Sequence, residues 1–186
     1  MGEVLQNISR KVKSGYIGVS GVARQFFNNK QYLIKDGQIN SEISFNVNNS
    51  GNGAITYNSD NIHLALTPLN NTAGNYLGFY TANPIDLSGF TKACIRCSFT
   101  SCFRYQHDHT DGFGFKTGTP ATWNVLAEQP DCYALFEDDA TNVTISLDIS
   151  SIMQDAYCSV VLNNQSKYLT GDRNQNQIWI YDIWLE

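Results

Sequence analysis

No stretch of this 186-residue chain keeps a helical apolar period for three turns, whereas short alternating runs recur between clusters of Asn, Asp, Gly and Ser. A chain written this way has little choice but to build sheets. Tyr32–Lys35 ends at Asp36-Gly37, a strong turn dipeptide. Glu42–Val47 alternates Ile43, Phe45 and Val47 against Ser44 and Asn46. Ala54–Tyr57, Ile62–Leu66, Asn75–Thr81, Thr91–Phe103, Tyr133–Phe136, Thr141–Asp148 and Cys158–Leu162 follow as further strands, with one turn of helix expected at Ser151–Asp155. The last run, Gln177–Leu185, places Ile178, Ile180, Asp182 and Trp184 on one face and Trp179, Tyr181, Ile183 and Leu185 on the other. Apolar residues on both faces predict a central, covered strand with both tryptophans in the core. About ten short strands at this spacing predict an all-β chain, an antiparallel β-sandwich of two packed sheets.

Composition narrows the function classes. Charged residues make up 16% of the chain and the net charge is -5, with the basic residues scattered, which argues against nucleic acid as the main partner. No apolar run approaches the roughly 20 residues of a membrane helix. The start, Met-Gly-Glu-Val-Leu-Gln-Asn, lacks the charged-then-apolar pattern of a secretion signal. Five cysteines in that context predict thiols made in a reducing compartment. Cys94 and Cys97 form a C-x-x-C, but on an extended strand they point to opposite faces and cannot share an ion. Buried small residues are the expectation there.

Before the first sandwich strand, Gly15, Gly18 and Gly21 punctuate runs carrying Val12, Tyr16, Ile17, Val19 and Val22. This predicts a small ribbon of two or three strands, with Ser14-Gly15 and Ser20-Gly21 as reversals. Too small to bury a core of its own, it must dock on something. The phrase Lys11–Arg24 resembles the "KKGYIGVNGVAR" modules in tail-region proteins of phages and prophages of Gram-positive bacteria; it also suits an ordinary hairpin. The resemblance implies a particle-attachment ribbon over residues 1–29, using Tyr16, Ile17, Val19, Val22, Arg24, Phe26 and Phe27, followed by a sandwich over 30–186. Ile85-Asp-Leu-Ser-Gly-Phe90, Val143–Ser150 before Tyr157-Cys-Ser-Val-Val161, and the terminal Ile180–Glu186 are similar to jelly-roll, carbohydrate-binding-module-like domains of phage tail and baseplate proteins. That likeness implies a non-enzymatic virion component assembled in the bacterial cytoplasm. It would be a homotrimer joined to other virion proteins and would contact host surface glycan. A capsid decoration or head-fibre protein, and a glycan-degrading enzyme, are the alternatives.

The polar stretch Arg104–Thr122 carries the sharpest cluster, His107-Asp-His-Thr-Asp111. In extended backbone His107, His109 and Asp111 point the same way, as a strand-borne metal site requires, while an exposed, solvated loop suits the same residues. The H-x-H resembles the iron-holding motif of some trimeric phage fibre tips. Tyr105, Phe113, Phe115 and Trp123 lie in or beside this stretch; aromatic faces beside Asn, Asp and His suit sugar recognition. Tyr105, His107, His109, Asp111 and Trp123 are therefore the candidate ligand-binding residues, though the aromatics would equally serve as packing under a long loop. Glu128, Asp131, Glu137, Asp138, Asp139 and Asp148 offer carboxylates, but no nucleophile-elbow, zincin or phosphate-loop signature accompanies them, and a non-enzyme is expected. A structural calcium ion is plausible for a jelly roll of this kind, with Asp86 and Glu186 as its first candidate ligands.

Overall fold

The computed structural model describes residues 16–19, 22–25, 30–49, 52–67, 75–100, 111–120, 130–136, 139–164 and 176–186, with the backbone alone for 16–25. Among them no helix occurs. β1 (Tyr16–Val19) and β2 (Val22–Gln25) pair antiparallel, Val19 opposite Val22; Ser20 and Gly21, where a reversal is expected, lie outside the described residues. The side chains of Tyr16, Ile17, Val19, Val22 and Arg24, the reversal at Ser14-Gly15, and Phe26 and Phe27 lie outside the described residues.

From Gln31 onward the strands form two antiparallel sheets. The larger contains β3 (Gln31–Lys35), β4 (Gln38–Ile39), β6 (Gly53–Tyr57), β7 (Ile62–Leu66), β9 (Lys92–Thr100), β12 (Ala140–Asp148) and β14 (Asn176–Leu185). Its central strand is β14, with β9 along one side and β7 then β3 along the other. The smaller sheet runs β11 (Cys132–Leu135), β10 (Gly112–Thr117), β13 (Ala156–Asn164), β8 (Asn75–Thr81) and β5 (Phe45–Asn49). Inward side chains of both sheets make one core: Ile95, Cys97 and Phe99 of β9 and Ile178, Ile180, Ile183 and Leu185 of β14 from the first, Leu77, Phe79, Phe113, Phe115, Cys158 and Val160 from the second. Phe99 meets Phe136 across it with ring centroids 4.8 Å apart. The all-β sandwich is thus the architecture observed.

Several local expectations change. β5 starts at Phe45, and only that residue packs inward, stacking on Phe79 at 4.5 Å; Val47 is 46% exposed. β5 is the edge of its sheet, and an edge strand has a neighbour on one side only. Residues 151–155 form no helical turn. The chain there closes a single turn, Ile152 N–H to the Ile149 carbonyl. Phe113-Gly-Phe115, taken as part of a polar loop, is an interior strand with both rings fully buried. Gly112 and Gly114 make this possible, because a Cβ at either would sit 2.7 or 2.6 Å from a carbonyl oxygen of β11.

The largest correction is on β14. A bulge between Ile180 and Asp182 adds one residue, Tyr181, opposite β9. One extra residue reverses the inward and outward phase of everything after it. Ile178, Ile180, Ile183 and Leu185 therefore all face the core, and Trp179, Tyr181, Asp182 and Trp184 all lie on the outer face. The strand is central, as expected; both tryptophans lie on its outer side, Trp184 buried at 8% exposure as expected and Trp179 half-buried.

Candidate functional site

The outer face of the larger sheet is built in rows by its registers. Ser146 of β12, Cys94 of β9, Trp184 of β14 and Tyr32 of β3 lie side by side. In the next row Thr144 faces Arg96, which faces Asp182. Beyond the bulge, Ser98 faces Trp179, which faces His63 of β7. Strict alternation on β9 and β7 sends Cys94, Arg96 and Ser98, and His63, outward, because their neighbours Ile95, Cys97, Ile62 and Leu64 are in the core. From Cys94 to Ser98 is four residues, so the aromatic row runs about 13 Å at roughly 3.3 Å per residue.

Each ring on this face is held by a polar partner. His63 stacks on Trp179, centroids 4.7 Å apart and planes 2° from parallel, and its Nε2 lies 2.9 Å from Gln177 Oε1. The Tyr181 hydroxyl lies 3.0 Å from Ser98 Oγ, which accepts the Asn142 N–H at 2.8 Å. Asn142 sits at positive φ in a second bulge, on β12, and that bulge aims its N–H at Ser98. The Arg96 guanidinium is 5.0 Å from the Tyr181 centroid and donates through Nε to Asp182 Oδ2. Tyr32 and Trp184 meet at 6.1 Å; Lys30 Nζ lies 4.4 Å from the Trp184 centroid and Lys35 Nζ 5.3 Å from that of Tyr32. Tyr32, His63, Trp179 and Tyr181 stay partly exposed, while Asp182, Ser98 and Trp184 are buried. The result is a half-open aromatic surface interleaved with fixed donors and acceptors and with cations matched by Asp182, Asp36 and Glu186. Such a surface suits an uncharged ligand with both C–H faces and hydroxyl groups.

Of the ligand-binding residues picked out from sequence, the structure describes Asp111. Tyr105, His107, His109 and Trp123 lie outside the described residues. Asp111, immediately before β10, is buried: it is 3% exposed, its Oδ1 accepts the Asn163 N–H, and its carbonyl accepts the Phe136 N–H at 2.9 Å. It ties the start of β10 to β13 and to the chain beyond β11. Burial pushes its carboxyl up to about 7, against the opposing effect of the Asn163 N–H. The folded chain then keeps a proton that an ordinary aspartate loses near pH 4. Folded protein binds more protons than unfolded between those values, so stability falls as pH rises through that window and levels off above it. We expect denaturant melts of the wild type to lose stability from pH 4 to 7.5, by up to about 1.4 kcal/mol per pH unit. Asp111→Asn, which keeps the acceptor oxygen, should flatten that dependence; an unchanged slope would contradict the assignment.

Asp86 and Glu186, the first candidate calcium ligands, each have a partner within the chain. Asp86 Oδ1 accepts the N–H of Ser88 within its own turn. Glu186 Oε2 accepts the Trp184 indole N–H at 3.0 Å and lies 3.5 Å from Lys30 Nζ; the indole bond first, and Lys30 next, hold it below the usual carboxylate range. Among the described residues no group of three or more His, Cys, Asp or Glu side chains converges for a metal. Cys94 and Cys97 occupy opposite faces of β9 as expected, and burial raises both thiols, Cys97 to about 12. Of the carboxylates considered for hydrolysis, Asp131 accepts the Thr117 N–H from the end of β10, and Asp148 accepts the Ser150 N–H within its own turn. Sequence reasoning missed the outer face because nothing in Gln177–Leu185 announces a bulge; Asp182 amid apolar residues was the one available signal.

No protein-family model matches the chain, and no curated protein does. Among solved structures, it is similar to CBM29_1, a family 29 carbohydrate-binding module from Piromyces equi, at 10% identity and a TM-score of 0.44, covering 84% of this chain and 89% of that one. It is also similar to CBM86, a low-affinity xylan-binding module from Roseburia intestinalis, at 10% identity and a TM-score of 0.39, covering 77% and 95%. At these values the likeness carries no argument about ligand.

Proposed function

We propose that this chain is a non-catalytic saccharide-binding β-sandwich, and that the outer face of its larger sheet is the binding surface. The observation that carries the reading is the set of half-exposed rings of Trp179, Tyr181 and Tyr32 beside the fixed hydrogen-bonding groups of Arg96, Ser98, Asp182 and His63, with Trp184 buried under Lys30 between them. Ring faces stack on the C–H faces of sugars, and the neighbouring polar groups select hydroxyl positions. The residues 1–29, from their resemblance to phage tail modules, are the particle-attachment element, with hairpin β1–β2 inside it. On this reading the protein is a virion component that meets a Gram-positive host's surface glycan, as a trimer whose several weak sites act through avidity.

The test is titration calorimetry against purified Gram-positive cell-wall polysaccharide and neutral oligosaccharides, using wild type, Trp179→Ala, Tyr105→Ala and Trp123→Ala. Trp179→Ala should weaken binding about tenfold or more, each ~1.4 kcal/mol being a factor of ten, while melting as wild type does. Tyr105→Ala and Trp123→Ala should bind normally. Loss confined to those two variants would move the site to the stretch between β9 and β10 and beyond. Binding to none of these saccharides by wild type would favour a purely structural decoration protein.

A further inference from the structure

At the end of the same outer face, β9 and β12 leave a cleft of about 400 Å³ lined by Thr91, Lys92, Ser146, Asp148 and Ser150. Lys92 faces Asp148 across the two strands, and Ser146 faces Cys94, whose other neighbour is Trp184. The cleft is therefore one row beyond the Ser146–Cys94–Trp184–Tyr32 row and opens on the same side. Asp148 is held in place from below: its Oδ1 accepts both the N–H and the hydroxyl of Ser150, and these bonds keep its carboxyl below the usual range. Its Oδ2 takes no part in those bonds.

We propose that this cleft is a further saccharide subsite, continuous with the aromatic row, which takes the next sugar unit of a neutral glycan chain. The inference rests on the saccharide-binding reading of the outer face. Its lining decides the ligand class. Three hydroxyl groups, one ammonium and one carboxylate offer donors and acceptors at close quarters. A phosphate or other anion would meet Asp148, and a free cation would meet Lys92, whereas neighbouring sugar hydroxyls donate to the carboxylate and accept from the ammonium. The cleft contains no aromatic ring, so it lacks the apolar contact that holds an isolated sugar. Along that row Trp184 is 8% exposed and lies under Lys30, so the contact comes from the half-exposed ring of Tyr32 beyond it, which makes the cleft an extension of the row. Its volume falls within the usual range for small-ligand sites, about 300–1,000 Å³.

The experiment uses neutral oligosaccharides of increasing length, from two units to about six, cut from Gram-positive cell-wall polysaccharide, with the full chain. Wild type, Trp179→Ala, Asp148→Asn and Lys92→Gln are titrated by calorimetry and by amide and indole NMR shifts. Asp148→Asn keeps an oxygen for the Ser150 turn, and Lys92→Gln checks the cleft from its other wall. Affinity of wild type should rise with length, and both cleft variants should lose about tenfold of that gain while binding the shortest ligands unchanged. The amides of Lys92, Ser146, Asp148 and Ser150 should shift only with the longer ligands. If the indoles of Trp179 and Trp184 shift while those four amides stay still and both cleft variants bind every length normally, the cleft inference is overturned and the aromatic face stands. If no oligosaccharide shifts either set, the saccharide reading fails and the subsite with it.

Discussion

Gly37→Ala is expected to destabilise the fold by about 3 kcal/mol or more, enough to lower the melting midpoint sharply. Two costs add. Gly37 has φ +74°, where an L side chain is strained, and Asp36 before it is also at positive φ, so this is a two-residue hairpin turn between β3 and β4. The second cost is steric. A Cβ at Gly37 would sit 2.2 Å from the Asn61 backbone nitrogen and 2.5 Å from the Asp60 carbonyl carbon. Those are backbone atoms of the turn between β6 and β7, which cannot swing aside as a flexible side chain would. The turn is also tied down, since Gly37 N–H donates to the Tyr181 carbonyl at 2.7 Å. Relief of the clash would pull that bond from the β14 bulge and disturb the rows of the outer face. Urea denaturation compares the variants: a loss of less than about 1 kcal/mol would show that the two turns can separate freely.

Asp182→Ala is expected to cost about 2–3 kcal/mol and to weaken saccharide binding as well. The Asp182 carboxylate accepts from Arg96 through Oδ2 and from the Asp36 N–H, at 2.7 Å, through Oδ1. One side chain thus joins β9, β14 and the β3–β4 turn. Its removal strands the Asp36 N–H and leaves Arg96 with longer contacts, 3.3 Å to Asn142 Oδ1 and 3.8 Å to Asp36 Oδ1. Arg96 keeps about a third of its side chain in water, at 35% exposure, which holds the cost below the 3–5 kcal/mol typical of breaking a fully buried pair. Arg96 would also lose the partner that keeps it against Tyr181. Denaturant melts with parallel saccharide titrations read both effects. Unchanged stability would mean that Asp182 is only a surface acceptor.

Much of the framework was legible in the residues because strand alternation is local. Val143, Ile145 and Leu147 point inward on β12, and the Asp36-Gly37 turn stands where its dipeptide put it. The opposite facing of Cys94 and Cys97 follows from spacing alone. What was not legible depends on contacts distant in sequence. Phe113 and Phe115 look like part of a polar loop until β13 and β11 close on either side of them. Asp111 looks like a loop ligand until the Asn163 N–H takes its carboxylate. The candidate face was hidden by one residue, Tyr181, whose insertion no local propensity records.

By itself the sequence determined an all-β chain with β14 as a central strand, because a period of two and the placing of turn residues act over a few bonds. Only the tertiary structure decided which way Trp179 and Trp184 face. That choice turns on how β14 registers against β9, β7 and β3 at once, and a bulge that satisfies all three sends the isoleucines into the core and the tryptophans to the outer face.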